Sequence, residues 1–392
     1  MTRTGIALSS RTRLLPDGAD PLAALGPGGF AWFTDELGLA TSGVAARVDA
    51  AEVDDVLAGI VSDDELALPG TGPIAVGALG FRGTAGLVVP SRVVGRLADG
   101  RAWITDIGPG DPSVEAWPVA ALDGERVRPD RQAWREAVEE ALDRIAAGGL
   151  DKVVLAREIT VSADRPFDVA AVVGRLRAGN PKSFTYAAGA FVGASPELLV
   201  RRRGPHVVSR PMAGTAARGD SPADDDRLVA AMAASSKEQA EHRLVVGEVR
   251  RALAAVCADV VAERPEIVRL PTVAHLATTV RGTLSDGHVS ALGVAALLHP
   301  TPAVAGVPRR SALQAIAELE HFDRGLYAGP VGWVDSRGDG DWALALRGAS
   351  LDGHRARLVA GAGIVTGSGP AAEWDETEAK LEAMRSVLLD QR

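Results

Sequence analysis

Apolar positions recur along the chain with two different periods, and segments of the two kinds alternate. From Arg131 the spacing is helical: Trp134, Val138, Leu142 and Ile145 share one face, acids and arginines the other, and Gly148-Gly149 ends the run. An apolar strand, Lys152-Val-Val-Leu-Ala156, follows directly. A second helix is predicted over about 167–178. It leads through Asn180-Pro181 to strands near 183–187 and 191–200, the latter kinked at Ser195-Pro196. Residues 222–256 carry the longest helical pattern, with Asp224 to Asp226 favouring its N-terminal end and a break near Ser235-Ser236. Beyond it, 268–284 read as strand, 289–298 as helix, 299–308 as loop and 311–320 as helix. Strands are predicted at 326–335, 341–351 and 357–365, and a last helix over 372–388. Residues 1 to 127 read as short strands and Gly/Pro turns without catalytic spacing, which makes them scaffold. No repeat, heptad array or linker divides the chain, so one catalytic unit is expected.

Composition narrows the class. Of 392 residues 46% are hydrophobic, enough for a full core, and Cys257 is the only cysteine, which excludes a disulfide-stapled fold. A net charge of -9 argues against nonspecific nucleic-acid binding. No apolar run approaches the roughly 18 to 20 residues of a membrane helix, and the start shows no apolar segment followed by a small-residue cleavage site. A soluble, cytoplasmic protein is expected, with neither a nucleic acid nor a membrane as partner. Lysine is scarce: Lys152, Lys182, Lys237 and Lys380 are all there are. A flexible ammonium can do what a guanidinium cannot, so each is a candidate for chemistry.

Three of the four lie beside carboxylates or inside an apolar strand. In the last helix Glu373 and Glu376 share a face, with Lys380 one turn on; Glu238 and Glu241 repeat the spacing after Lys237. A pair of this kind alone is more often a solvated face. Two pairs on different helices fit a hard cation such as Mg²⁺, which accepts one or two carboxylates plus substrate oxygens. No histidine shows zinc-type spacing. Lys152, if buried rather than snorkelling, has its basicity lowered towards that of a general base, and burial of Glu197 in Gly193-Ala-Ser-Pro-Glu197-Leu-Leu-Val200 suits a general acid. Ala213-Gly214-Thr215, Arg347 and Gly361-Ala-Gly363 are candidate anion contacts, with Arg347 suited to a bidentate carboxylate.

The strings DKVVLARE, GASPELLV, RPMAGTAAR, SSKEQAEHRLVV, LPTVAHLATTVRG, LHPTPAVAGVP, RGLYAGPVGW and GAGIVTGSGPAAEWDETEAK occur in this order. Together they resemble the chorismate-utilising enzymes of the isochorismate synthase and anthranilate synthase component I group. The resemblance spans about residues 130 to 388. It implies an α+β fold with large, mostly antiparallel central sheets flanked by helices. Residues 1–127 would be the variable N-terminal part of that fold and 128–392 the chorismate-binding catalytic region.

By that resemblance, Glu241 and Glu376 match magnesium ligands, and Glu238 and Glu373 the outer carboxylates that hold metal-bound water. Gly214, Thr215, His275, Ala303, Tyr327, Arg347, Gly361, Gly363 and Lys380 match substrate-binding positions. Lys152 matches the base that activates water and Glu197 the acid that protonates the departing 4-hydroxyl. Ammonia-using members lack the lysine at the Lys152 position, so water is the expected nucleophile and no glutamine amidotransferase is required; a monomer is expected. The loop His299-Pro-Thr-Pro-Ala303-Val304 resembles the isochorismate synthase form, whereas Tyr327 is also common in salicylate-forming members. The implied activity is Mg²⁺-dependent conversion of chorismate to isochorismate. The alternatives are salicylate formation with pyruvate release and a catalytically idle chorismate-binding subunit.

Overall fold

The computed structural model describes residues 8–83, 86–109, 117, 122 and 127–389; the opening residues 1–7, read above for a signal segment, lie outside these. The architecture is α+β, built from two large sheets and one small one. The largest sheet runs, in order of neighbours, from the strand Val127–Arg128 through Lys152–Ser162, Arg355–Ile364, Gly348–Asp352, Phe191–Ser195 and Phe184–Ala188 into strands of the N-terminal part, beginning with Phe30–Phe33. The second sheet joins His206–Arg210, Leu198–Arg203, Gly340–Leu344 and Pro330–Asp335 to Ile74–Ala78. The third pairs Met212–Ala217, Val273–Ala277 and Glu266–Arg269. The ladders are antiparallel except between Ser9–Leu15 and Val61–Asp63. Residues of the N-terminal part are thus hydrogen-bonded within both large sheets: Trp32 faces Tyr186, and Val76 faces Trp333.

Local chemistry explains the helices. Asp130 caps Arg131–Ala146 by accepting from the amides of Gln132 and Ala133, and Trp134, Val138 and Ala141 are buried. The break predicted near Ser235-Ser236 is present: Ser235 ends Pro222–Ala234, and its side chain caps Ser236–Leu253 by accepting from Glu238 N. The last helix spans Pro370–Leu389. Among the described residues no helix is long and apolar enough to cross a membrane.

Two predicted strands differ in a way that matters for the site. Residues 326–329 form a turn before Pro330–Asp335, with Ala328 at φ 64. The segment 341–351 is two strands in two different sheets, separated by Ala345, Leu346 and Arg347. Arg347 sits at φ 51, a conformation side chains other than glycine's rarely hold unless surrounding structure enforces it.

Candidate active site

Two of the places where the chain crosses from one large sheet to the other each carry a candidate side chain. Glu197 lies between Phe191–Ser195 and Leu198–Arg203, and Arg347 between Gly340–Leu344 and Gly348–Asp352. Leaving a ladder frees backbone groups, and the crossings satisfy one another. Leu344 N donates to Glu197 O at 3.1 Å, and Ala194 N donates to Arg347 O at 3.2 Å. Beside them the small sheet brings Thr215 opposite His275, and Lys152–Ser162 pairs with the strand carrying Gly361 and Gly363.

One cavity results. Its lining includes Glu197, Gly214, Thr215, Glu241, His275, Ala303, Tyr327, Arg347, Gly361, Gly363, Glu376 and Lys380, all predicted from sequence. Three predicted residues stand behind the wall. Glu238 and Glu373 are set back on their helices. Lys152 is 1% exposed, and its Nζ lies 2.8 Å from Glu241 Oε1. It therefore neither snorkels nor stands alone. Gly363 makes this pair possible: a Cβ there would lie 2.3 Å from Glu241 Oε1 and 3.0 Å from Lys152 Cε.

The carboxylate end is compensated by lysines. Lys237 Nζ donates to Glu373 Oε1 at 2.8 Å, and Lys380 Nζ donates to Glu376 Oε1 at 2.5 Å and to Gly361 O at 2.9 Å. Glu238 Oε2 accepts from Thr215 N at 2.9 Å, so that amide, read as an anion contact, is already committed. Gly214 bulges the strand at φ 80 to aim it there. Burial raises the Glu238 and Glu373 carboxyls, and repulsion raises them further, from Glu241 and Glu376 on the former and from Glu376 on the latter. The four acids therefore sense one another across two helices. Only Glu241 and Glu376 reach the cavity, and among the described residues no group of three or more His, Cys, Asp or Glu converges as a ligand set. Two hard oxygen donors open towards a substrate cavity suit a divalent ion that takes its remaining ligands from substrate and water. Sequence reading placed Lys237 beside the Glu238/Glu241 pair; its bridge to Glu373 on the other helix appears once the two are packed.

The rest of the lining is cationic and holds a proton donor. His275 has its Nδ1 near Gly214 O at 3.1 Å and Thr215 Oγ1 at 3.2 Å, and Arg347 donates to its Nε2 at 3.0 Å. A carbonyl only accepts, so the proton sits on Nδ1 and Nε2 is the acceptor. Burial, with Arg347 beside it, holds His275 well below the ordinary imidazole range. Among the described residues the side-chain partner shown for Arg347 is His275 and not a carboxylate, and burial lowers its guanidinium. Burial pushes the Glu197 carboxyl up to about 7, against the pull of a backbone hydrogen bond from Met212 and of Lys152, Arg347 and Lys380. A polar cavity thus holds a protonatable acid, an unpaired guanidinium and a pair of carboxylates, which suits an anionic substrate.

Residues 114–389 match the family model described as chorismate binding enzyme. The chain is 40% identical over 268 residues to the isochorismate synthase DhbC of Bacillus subtilis, covering 65% of this chain and 67% of that protein. The solved structure of a putative 2,3-dihydroxybenzoate-specific isochorismate synthase from Bacillus anthracis superposes with a TM-score of 0.80 at 30% identity, over 94% of this chain and 98% of that one. That of the menaquinone-specific isochorismate synthase MenF from Escherichia coli gives 0.82 at 27% identity, over 97% and 94%. With the family model covering most of its length, the chain belongs to the chorismate binding enzymes.

Proposed function

We propose that this chain is a stand-alone isochorismate synthase that isomerises chorismate with water as nucleophile, and that Lys152 is its base and Glu197 its acid. The observation that carries the reading is one cavity bounded by a buried carboxyl poised at about 7 and, behind Gly363, by a buried lysine amine. A buried carboxyl raised towards neutrality and a buried amine at one cavity supply the two parts of an acid/base couple. The relatives' shared name supports the reaction class at the level of the isomerisation, whichever route their product then follows.

Arg347, with no carboxylate to hold it among the described residues, offers a fork of donors to one substrate carboxylate, and His275 fixes the fork's orientation. Lys380, tethered to Gly361 O, adds positive charge to the lining of the same cavity. Glu241 and Glu376 would hold Mg²⁺, with Glu238 and Glu373 outside them; when bound, the ion supplies neutralisation of substrate carboxylate charge. Glu241 and Lys152 hold each other in this structure, so Lys152 can serve as base only after Glu241 turns away from it and the ammonium gives up a proton to solvent. Lys152 then accepts a proton from the water that attacks C2. The ring double bonds shift, the C4–O bond breaks, and Glu197 gives its proton to the leaving hydroxyl. One water enters and one leaves, so the reaction is a reversible isomerisation in which the two residues exchange roles.

The test is incubation with chorismate and Mg²⁺ and separation of the products. Isochorismate rising to a fixed ratio with chorismate, without pyruvate, is the expected result. Salicylate with equimolar pyruvate, or unchanged chorismate, contradicts the reading.

A further inference from the structure

The last helix, Pro370–Leu389, carries Glu373, Glu376 and Lys380, and its two halves are held differently. In the C-terminal half Leu381, Met384 and Leu388 are buried in one apolar core with Leu358 and Ala360 of the strand Arg355–Ile364. Contacts of that kind are non-directional and tolerate a small slide or turn of the helix. In the N-terminal half, which brings the carboxylates to the site, the buried residues are Glu373, Trp374 and Thr377, none of them aliphatic.

Directional bonds take the place of an aliphatic anchor there, and they converge on Arg157. This residue follows Lys152 in the same strand, Lys152–Ser162, and is 0% exposed. Its Nε donates to Thr377 Oγ1 at 2.6 Å, its Nη2 donates to Glu378, and its guanidinium lies 3.8 Å over the Trp374 ring. The Thr377 hydroxyl passes the constraint along the helix by donating to Trp374 O at 2.7 Å. Arg157 thus grips the chain neighbours of both carboxylates, Trp374 beside Glu373 and Thr377 beside Glu376. Its own burial is incompletely compensated: Nη1 has no partner among the described residues, and the Glu378 side chain is 37% exposed. A buried ion pair is weak evidence of stability, and fixing the register of one element on another is its best-attested use.

We propose that Arg157 is a positioning residue for the metal site: it fixes the N-terminal half of the last helix on the Lys152 strand and so holds Glu376 where it can share one Mg²⁺ with Glu241. Arg157 does not border the cavity and acts through the helix. The inference rests on the reading of Glu241 and Glu376 as Mg²⁺ ligands. Mg²⁺ demands near-octahedral coordination at short distances, whereas Ca²⁺ accepts a range of geometries, so a displaced Glu376 penalises Mg²⁺ the more.

The test is calorimetric titration of the full chain, free of substrate, with Mg²⁺ and separately with Ca²⁺, alongside thermal melts. Thr377→Val keeps the branched shape and removes the hydroxyl that Arg157 holds, Thr377→Ser keeps a hydroxyl, and Arg157→Lys keeps the charge without the fork of donors. Expected is Mg²⁺ affinity lower by about ten- to a hundred-fold in Thr377→Val and Arg157→Lys, a smaller loss for Ca²⁺, and Thr377→Ser within about three-fold of wild type. Unchanged Mg²⁺ affinity in Thr377→Val, equal losses for the two ions, or loss of cooperative unfolding in both Thr377→Val and Arg157→Lys would assign Arg157 to stability alone and overturn the proposal. Absence of Mg²⁺ binding to the wild type at millimolar ion removes the ligand reading and this inference together, whereas wild-type binding with unchanged variants removes this inference only. Binding is read by heat and not by turnover, so a failed chorismate assay and a failed positioning role are separately visible.

Discussion

Arg324 and Arg347 lie 23 residues apart in the chain and keep different company. Arg324 is 3% exposed and each of its three guanidinium nitrogens is engaged: Nε and Nη2 donate to Glu320 at 2.9 and 2.6 Å, Nη1 to the carbonyl of Val304, and Nη2 also to that of Val154. Glu320 also accepts from Ala156 N at 2.7 Å, which ties the pair to the Lys152 strand. Arg347 borders a cavity, with a neutral histidine as its hydrogen-bonded partner. Burial pulls both guanidiniums down. For Arg324 the adjoining Glu320 reverses the effect, whereas for Arg347 the more distant Tyr327, Glu376 and Glu197 do not. A charge whose partner is built in is structural. One brought to a cavity without a partner is held ready for a partner from outside, and its folding cost is the more informative sign of function.

Breaking the open set should cost turnover, and breaking the closed set should cost folding. The largest effects belong to the acid and base. Glu197→Gln and Lys152→Ala are expected to lower kcat by 10²- to 10⁴-fold or more with cooperative unfolding retained, checked by steady-state kinetics and thermal melts. Wild-type activity in either would remove that residue's role. Next come the two arginine systems. Glu320→Ala, which strands a buried guanidinium, should cost about 3–5 kcal/mol in denaturant unfolding. Arg347→Met should leave stability within about 1 kcal/mol while kcat/KM falls by about 10²-fold or more. If both fail in the same way, the contrast is wrong.

Proton linkage sharpens the comparison further. The fold raises the Glu197 carboxyl from 4.5 to about 7, so its neutral form is favoured when folded. Its contribution is therefore fully present below about 4.5 and is lost as pH rises to about 7, some 3 kcal/mol in all relative to Glu197→Gln. The forward rate should fall as pH rises through about 7, because the acid must begin protonated. Equal stability–pH slopes for wild type and Glu197→Gln between pH 4.5 and 7 would contradict the assignment. The smallest effect is expected at Gly363→Ala, whose methyl displaces Glu241 from Lys152 and should cost about 1–3 kcal/mol by denaturant titration.

How much of this the sequence carried depended on the range of the interactions. The helix from Arg131 and the break at Ser235 rest on periodicity and capping within a few residues, and both were legible. The paired carboxylates were legible for the same reason, since i,i+3 spacing fixes a shared face. The sheet order was not, because Phe30–Phe33 meets Phe184–Ala188 across some 150 residues of chain. Nor was the crossing at Arg347: Ala345-Leu346-Arg347 looks like strand, and its departure is imposed by Ala194 and the neighbouring crossing. The ion pair between Lys152 and Glu241 joins a strand to a helix and needs Gly363 between them, so burial of the lysine could be anticipated but its partner could not.

The most direct test of the central claim is to run the reaction with chorismate and Mg²⁺ in ¹⁸O-labelled water and locate the label in the product. The account predicts isochorismate whose C2 hydroxyl carries solvent oxygen, with no pyruvate formed, and no label incorporation by Lys152→Ala. Isochorismate that retains chorismate's own hydroxyl oxygen at C2 would contradict it.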